Sequence, residues 1–204
     1  VGYLFMSKLA AYMDPINQLN DWLSEAERSE PNDPSAVALA TVGADGMPSQ
    51  RMVLMKACDE RGLVFYTNLG SKKADELGEN RKAAMLFHWK SLRRQIRVEG
   101  VVEPTGGEEA DEYFASRARA SRIGAWASKQ SQPMEGRFEF EAAIAKYTAK
   151  FGTGEIPRPE FWSGFRLKPQ YFEFWRDRKF RLHERKTFNL LDQKKGWETD
   201  EIYP

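Results

Sequence analysis

Between Ala36 and Pro104 the chain passes through five segments that alternate apolar and polar residues or cluster β-branched and aromatic ones, each bounded by turn residues. AVALATV (36–42), the turn GADG (43–46) and SQRMVLMKA (49–57) predict two antiparallel strands joined by a tight hairpin. GLVFYTN (62–68), KAAMLFHW (82–89) and RRQIRVEGVVEP (93–104) add three more. Strand character returns in FWSGFRLKPQYFEFWRD, KFRLHERKTFNLLD and GWETDEIYP, which fill most of the chain from residue 161. Strands that follow one another without a crossover helix pair antiparallel. The pattern therefore predicts an α+β fold built on a barrel-like sheet, not a doubly wound parallel one.

The helices are peripheral. Asp14 and Pro15 read as an N-cap and first helical residue, after which Ile16, Leu19, Trp22 and Leu23 recur at helical spacing until EPNDPS ends the run. GSKKADELGEN predicts a short helix capped by Ser71. GGEEADEYFASR and the stretch 134–151 predict two more, with the alanine-rich SRIGAWAS between them.

A chain of 204 residues can bury one sizeable core, and residues 14–204 are taken as one domain behind an uncertain extension, 1–13. That extension, VGYLFMSKLAAYM, is interrupted by Lys8, carries no basic leader and is too short to span a bilayer. Neither secretion nor a membrane is expected, and a cytoplasmic location follows. Lys and Arg total 31 against 30 Asp and Glu, so there is no bulk positive field for a nucleic acid. The single cysteine, Cys58, reads as an ordinary thiol, and no Cys/His spacing fits a metal.

Cations near turns and strand ends carry the chemistry. In FRLHERK, a strand would project Arg181, His183 and Arg185 from one face; such a row calls for an anion, acidic partners or solvent, and a solvated edge strand fits it as well. In RMVLMK, Arg51 and Lys56 point to opposite faces of a regular strand: either a bulge brings them together or they serve separate groups. YTNLGSKKADEL places Ser71, Lys72 and Lys73 at a helix start, with Thr67 nearby, a plausible phosphate grip that is neither a Walker loop nor GxGxxG. Gln95 lies on the polar side of its strand with Arg97 and Glu99, opposite Ile96 and Val98. Tyr113, Arg117 and Ser121 share one helical face if the helix continues, and suit a phosphate or simply water.

Taken together, RMVLMK, VFYTNLGSKKA, SRIGAWASKQS, FWSGFR, EFW and RLHER resemble, in order and spacing, the pyridoxamine 5'-phosphate oxidase family from Asp14 to Pro204. The resemblance implies an FMN-binding split barrel, assembled as a homodimer with two flavin sites at the subunit interface. It implies that Arg51, Met52, Val53, Leu54, Met55 and Lys56 line the flavin, with Tyr66, Thr67, Lys72 and Lys73 around its phosphate and Gln95 near the ring system. Gln130 and Ser131 would reach the flavin from the other subunit, and Trp175 and Arg185 would complete the pocket. Lys56, Tyr113, Arg117 and Ser121 would hold the substrate phosphate, and Arg181 and His183 would lie over the pyridine ring as the catalytic pair.

The implied activity is oxidation of pyridoxamine or pyridoxine 5'-phosphate to pyridoxal 5'-phosphate, with dioxygen reduced to hydrogen peroxide. A flavin reductase of the same fold lacks the RLHER constellation, and a non-catalytic flavin- or pyridoxal-phosphate-binding protein would use the same cations for storage. Two features depart from the family pattern. Lys72 stands where Arg is frequent, which keeps the charge and loses the bidentate fork, and VGYLFMSKLAAYM has no Arg-Arg-x-Tyr segment of the kind that closes over substrate.

Overall fold

The computed structural model describes residues 14–136, 138–192 and 196–204; the expectations for the segment 1–13 lie outside them. Helix α1 (Pro15–Ser29) starts as its sequence demands: the Asp14 carboxylate accepts a hydrogen bond from the Ile16 backbone N–H at 2.9 Å, and Pro15 occupies the first turn. Its apolar stripe, Ile16, Leu19, Trp22 and Ala26, is buried.

The strands are β1 (Ala36–Val42), β2 (Pro48–Leu54), β3 (Ala57–Asp59), β4 (Gly62–Asn68), β5 (Lys82–Trp89), β6 (Arg94–Pro104), β7 (Trp162–Arg176), β8 (Glu184–Asp192) and β9 (Gly196–Glu201). All pairings are antiparallel, in the order β2-β1-β5-β6-β7-β4-β3, with β8 also on β7 and β9 on β8. Strands β2 and β3 stand at opposite ends of that order, yet only Met55 and Lys56 separate them in sequence. In a flat sheet the ends would lie six strand spacings apart, roughly 29 Å. The three Cα steps from Leu54 to Ala57 cover at most about 11 Å. The sheet must therefore curl until its ends nearly meet, which makes it a split barrel.

Long β7 makes this possible by changing partner along one edge: Trp162–Leu167 pairs with β4 and Tyr171–Arg176 with β8. On its other edge the β6 register shifts at Glu99/Gly100. A Cβ on Gly100 would lie 2.0 Å from the Lys168 carbonyl oxygen, so only glycine allows the two backbones to cross there.

Inward-facing residues fill the barrel, among them Leu39, Phe65, Met85, Phe87, Ile96, Val98, Phe172 and Phe188. Trp22 of α1 closes one side, edge-on to Phe174 at 5.2 Å. Cys58 lies against this core, and burial, followed by the charges of Asp59 and Asp14, pushes its thiol up to about 12, leaving an inert group.

Among the described residues four further helices ride outside: α2 (Lys72–Glu79), α3 (Gly107–Ser116), α4 (Arg119–Ala127) and α5 (Glu139–Phe151). SRIGAWAS, unassigned from sequence, forms most of α4, whose Trp126 packs on Tyr147 and Phe151 of α5. Helix α5 begins five residues later than the expected 134. A second cluster, Phe114, Ile123, Ala125, Ile156 and Trp162, lies beneath α3 and α4. Among the described residues no helix is long and apolar enough to cross a membrane.

Candidate active site

A cleft of about 1070 Å³ opens where the sheet edge β2 faces β4, α2 and the α3–α4 elbow. Five lining residues are cations, Arg51, Lys56, Lys72, Lys73 and Arg117, and none of the described lining residues is a carboxylate. Met52, Val53, Leu54, Tyr66, Thr67, Tyr113, Ser121, Gln130 and Ser131 line it too.

The two adjacent lysines of the SKK segment have unlike surroundings. Lys72 is exposed, its Nζ 3.7 Å from Glu76 Oε1. Lys73 is buried, and its Nζ donates to Thr67 Oγ1 at 2.9 Å and Ser71 Oγ at 3.1 Å. Ser71 does stand at the N-cap of α2, but its hydroxyl makes no cap bond. Burial, then the nearby Arg51 charge, pulls the Lys73 ammonium down to about 8.

Arg51 is anchored from below. Its guanidinium donates to Thr41 Oγ1, to Ser49 Oγ and, at 3.1 Å, to Glu76 Oε2. Burial alone would push the Glu76 carboxyl up; the hydrogen bonds from Thr41, Ser49 and Arg51, with the Arg51 charge, outweigh it and hold Glu76 at about 2. Strand β2 stops at Leu54, so the alternation that would have parted Arg51 from Lys56 is broken and both reach one cleft. Met55 does not line it: the same break turns its side chain into the barrel core, 4% exposed.

The α3 helix likewise does not continue through Arg117. Arg117 and Ala118 have extended backbone (ψ 148 and 142), and it is this elbow, not one helical face, that brings Tyr113, Arg117 and Ser121 together. Tyr66 stacks on Tyr113 at 4.1 Å and on Trp162 at 5.2 Å, and the Arg117 Cζ lies 4.8 Å over the Trp162 ring. Gly164 leaves room for this pile, since a Cβ there would sit 2.7 Å from Tyr66 Cε1. Burial pushes the Tyr66 hydroxyl up to about 12 and lowers the Arg117 guanidinium from a value so high that it stays charged. Arg117 Nη1 is buried with no hydrogen-bond partner among the described residues, as expected of a cation awaiting an anion.

Gln130 belongs to the same chain's cleft. Its Oε1 accepts from Thr67 Oγ1 at 3.1 Å and the Asn68 N–H at 3.3 Å, while Asn68 Nδ2 donates to the Ser128 carbonyl. Gln130 and Ser131 thus line the cleft of their own chain. Trp162, Asn68 and Glu76 were missed from sequence: the first two meet their partners across more than thirty residues of chain, and only the glycine of FWSGFR hinted at a close approach.

Five expected residues lie elsewhere. Gln95, Trp175 and Arg185 are in register across β6, β7 and β8 on the outer face of the sheet. Arg185 donates through Nε to Glu173 Oε1 at 2.7 Å, and Arg97 pairs with Glu173 Oε2 at 2.9 Å. Burial would raise the Glu173 carboxyl, but these two arginines hold it below its usual value. Arg181 and His183 are not on a strand. Lys179–Arg181 forms a 3-10 turn with Phe180 (φ 60) and Arg181 (φ 62) in the left-handed region, and β8 begins only at Glu184. The row of Arg181, His183 and Arg185 on one strand face therefore does not exist, because the turn reverses the backbone before the ladder starts.

Gln95, Trp175 and Arg185 are not among the described residues that line the cleft, although β7 borders it through Trp162.

Comparison with known proteins agrees with this architecture. Residues 23–151 match the family described as pyridoxamine 5'-phosphate oxidase, and residues 162–204 match the pyridoxine 5'-phosphate oxidase C-terminal dimerisation region. The pyridoxine/pyridoxamine 5'-phosphate oxidase of Sinorhizobium fredii is 59% identical over 191 residues, covering 94% of this chain and 93% of the relative. That of Brucella canis is 58% identical, covering 94% of each. Among solved structures, PhzG from Burkholderia lata 383, in complex with tetrahydrophenazine-1-carboxylic acid, is 33% identical with a TM-score of 0.87, over 94% of this chain and 93% of its own. A pyridoxamine 5'-phosphate oxidase-related, FMN binding protein from Nostoc punctiforme shares the fold at 18% identity and a TM-score of 0.75, over 94% and 99%. Split barrel, cation-lined cleft and near full-length similarity converge: the chain belongs to the pyridoxamine 5'-phosphate oxidase family.

Proposed function

We propose that this protein is an FMN-dependent oxidase that converts pyridoxamine 5'-phosphate or pyridoxine 5'-phosphate to pyridoxal 5'-phosphate, working as a homodimer. The observation that carries the proposal is the cleft with five cations and no carboxylate among its described lining residues. Such an imbalance favours dianions, and it falls into two groups. Arg51, Lys72 and Lys73, with Thr67, suit the FMN phosphate; Lys56 and Arg117, with Tyr113 and Ser121, suit the phosphate of the substrate.

The residues fit the cofactor on physical grounds. Lys73 is buried with only hydroxyl partners and a depressed pKa, and a phosphate beside it would keep it charged to higher pH. Met52, Val53 and Leu54 present an apolar wall beside those cations, as a flavin ring requires. When bound, FMN supplies the two-electron acceptor for oxidation at the substrate C4' carbon and is reoxidised by dioxygen with release of hydrogen peroxide.

The chain's own residues bind, orient and handle protons. Lys56 and Arg117 fix the substrate phosphate, the Trp162 face holding the guanidinium in place. Arg181 holds the pyridine over the reacting face and stabilises negative charge that develops there, and His183 assists at a ring nitrogen. Because Gln95, Trp175, Arg181, His183 and Arg185 lie off the cleft, a second copy supplies them, its outer sheet face packed on Met52, Leu54 and Leu86, which are 63%, 38% and 38% exposed.

The test is to incubate FMN-loaded protein with pyridoxamine 5'-phosphate in air and follow the product's aldehyde absorbance together with peroxide. Equal yields of both are expected. Bound flavin with no turnover overturns the proposal.

A further inference from the structure

We propose that Asp177 is a positioning residue for His183, fixing the imidazole with its proton on Nδ1 and so leaving Nε2 as the acceptor that meets the substrate. The inference rests on the reading that Arg181 and His183 act on substrate.

Asp177 follows the last residue of β7 and is largely buried, its side chain 15% exposed. Its backbone N–H donates to the Arg93 carbonyl at 3.1 Å, and its Oδ2 pairs with the Arg93 guanidinium. Asp177 Oδ1 is 3.1 Å from His183 Nδ1. Two carboxylate oxygens thus tie the β5–β6 turn to the turn that carries Arg181. The His183 ring also lies against Trp175, centroids 4.8 Å apart and tilted by 39°. Arg178 and Glu184 close the base of the turn with a 2.7 Å ion pair.

His183 Nδ1 has a second neighbour, the Arg178 backbone N–H at 3.3 Å. The two contacts demand opposite tautomers. Accepting from Arg178 needs a bare Nδ1, whose lone pair would then face a carboxylate oxygen at 3.1 Å; donating to Asp177 needs the proton on Nδ1. A hydrogen bond to an ionised acceptor is about twice as strong as a neutral one, and the alternative adds repulsion, so the Asp177 contact wins. Phe180 and Arg181 both hold positive φ, conformations that non-glycine side chains keep only when the surroundings impose them. Asp177 and His183 flank these two residues, and their contact closes the turn that carries them.

The experiment uses FMN-loaded enzyme labelled with ¹⁵N at pH 8. With two histidines in the chain, loss of one imidazole in His183→Gln assigns the spectrum. The wild type should show His183 protonated at Nδ1. Asp177→Asn should move the proton to Nε2 and lower kcat by roughly tenfold to a hundredfold, with FMN affinity within about twofold of wild type. Arg93→Gln, at an exposed position, should produce the same changes more weakly and guards against a misfolded Asp177 variant. Unchanged tautomer and turnover in Asp177→Asn, with His183→Gln impaired, overturn this proposal alone. Full turnover in His183→Gln overturns the reading of His183 and this proposal with it.

Discussion

Lys73 shows how far a residue's neighbours decide its chemistry. Lys72 and Lys73 are equivalent in the sequence, but one turn of α2 leaves the first in solvent and buries the second against Thr67 and Ser71. The folded Lys73 titrates near 8 against 10.5 when unperturbed. Between those values the folded protein without FMN binds fewer protons than the unfolded chain, so its stability rises with pH across that window. Phosphate binding needs the charged ammonium and responds the opposite way. FMN affinity, followed by quenching of flavin fluorescence, should fall by up to about tenfold per pH unit above pH 8. Lys73→Met should bind FMN roughly tenfold to a hundredfold more weakly at pH 7, through loss of a charge-assisted bond, and show a flatter pH profile. Glu76 likewise adds stability as pH rises, but in the acid range. Its folded value of about 2 lies below the usual 4.5, so it stabilises fully above pH 4.5 and loses that contribution as pH falls toward 2. Glu76→Gln should cost about 2–4 kcal/mol at pH 7 by stranding Arg51, a gap that narrows in acid denaturation curves.

At the scale of elements, the sequence was most legible where local chemistry suffices. The Asp14–Pro15 start of α1, the GADG hairpin and the polar side of β6 all appear as expected, because caps, turns and alternation act over a few residues. It failed where distant contacts rule. RLHER alternates like a strand, but its first half lies in the turn between β7 and β8, where His183 meets Asp177 and Asp177 meets Arg93. The Tyr113–Ser121 stretch carries no proline or glycine to announce the elbow at Arg117, which arises as the guanidinium settles over Trp162 and Phe114. Gly100 marks the opposite case, a backbone crossing that one missing side chain permits. Gly100→Ala should therefore destabilise the protein by about 2–4 kcal/mol, seen as a lower midpoint in denaturant, since the Lys168 carbonyl cannot yield without breaking the β6–β7 ladder.

At the scale of the whole molecule, the outer sheet face changes character along its width. One row runs Met52, Ala38, Leu86, Arg97, Glu173, Thr187, apolar beside the cleft and polar or charged beyond β5. A twofold axis that packs two such faces together would set the Gln95–Trp175–Arg185 row of each copy over the cleft of the other, completing both sites at once. On the proposed reading, spacing along the chain could not divide the site between copies, because such a division depends on how the sheet folds. The division is testable by mixing inactive partners. Lys73→Met disables the cleft and Arg185→Ala the opposing row; each homodimer alone should show little turnover. Unfolded together and refolded, half the dimers become hybrids in which one site carries both lesions and the other neither. Activity should then return to about a quarter of the wild-type value per chain, the fraction expected from random pairing of a twofold dimer. If both residues served one chain's site, every site in the mixture would carry a lesion and no activity would reappear.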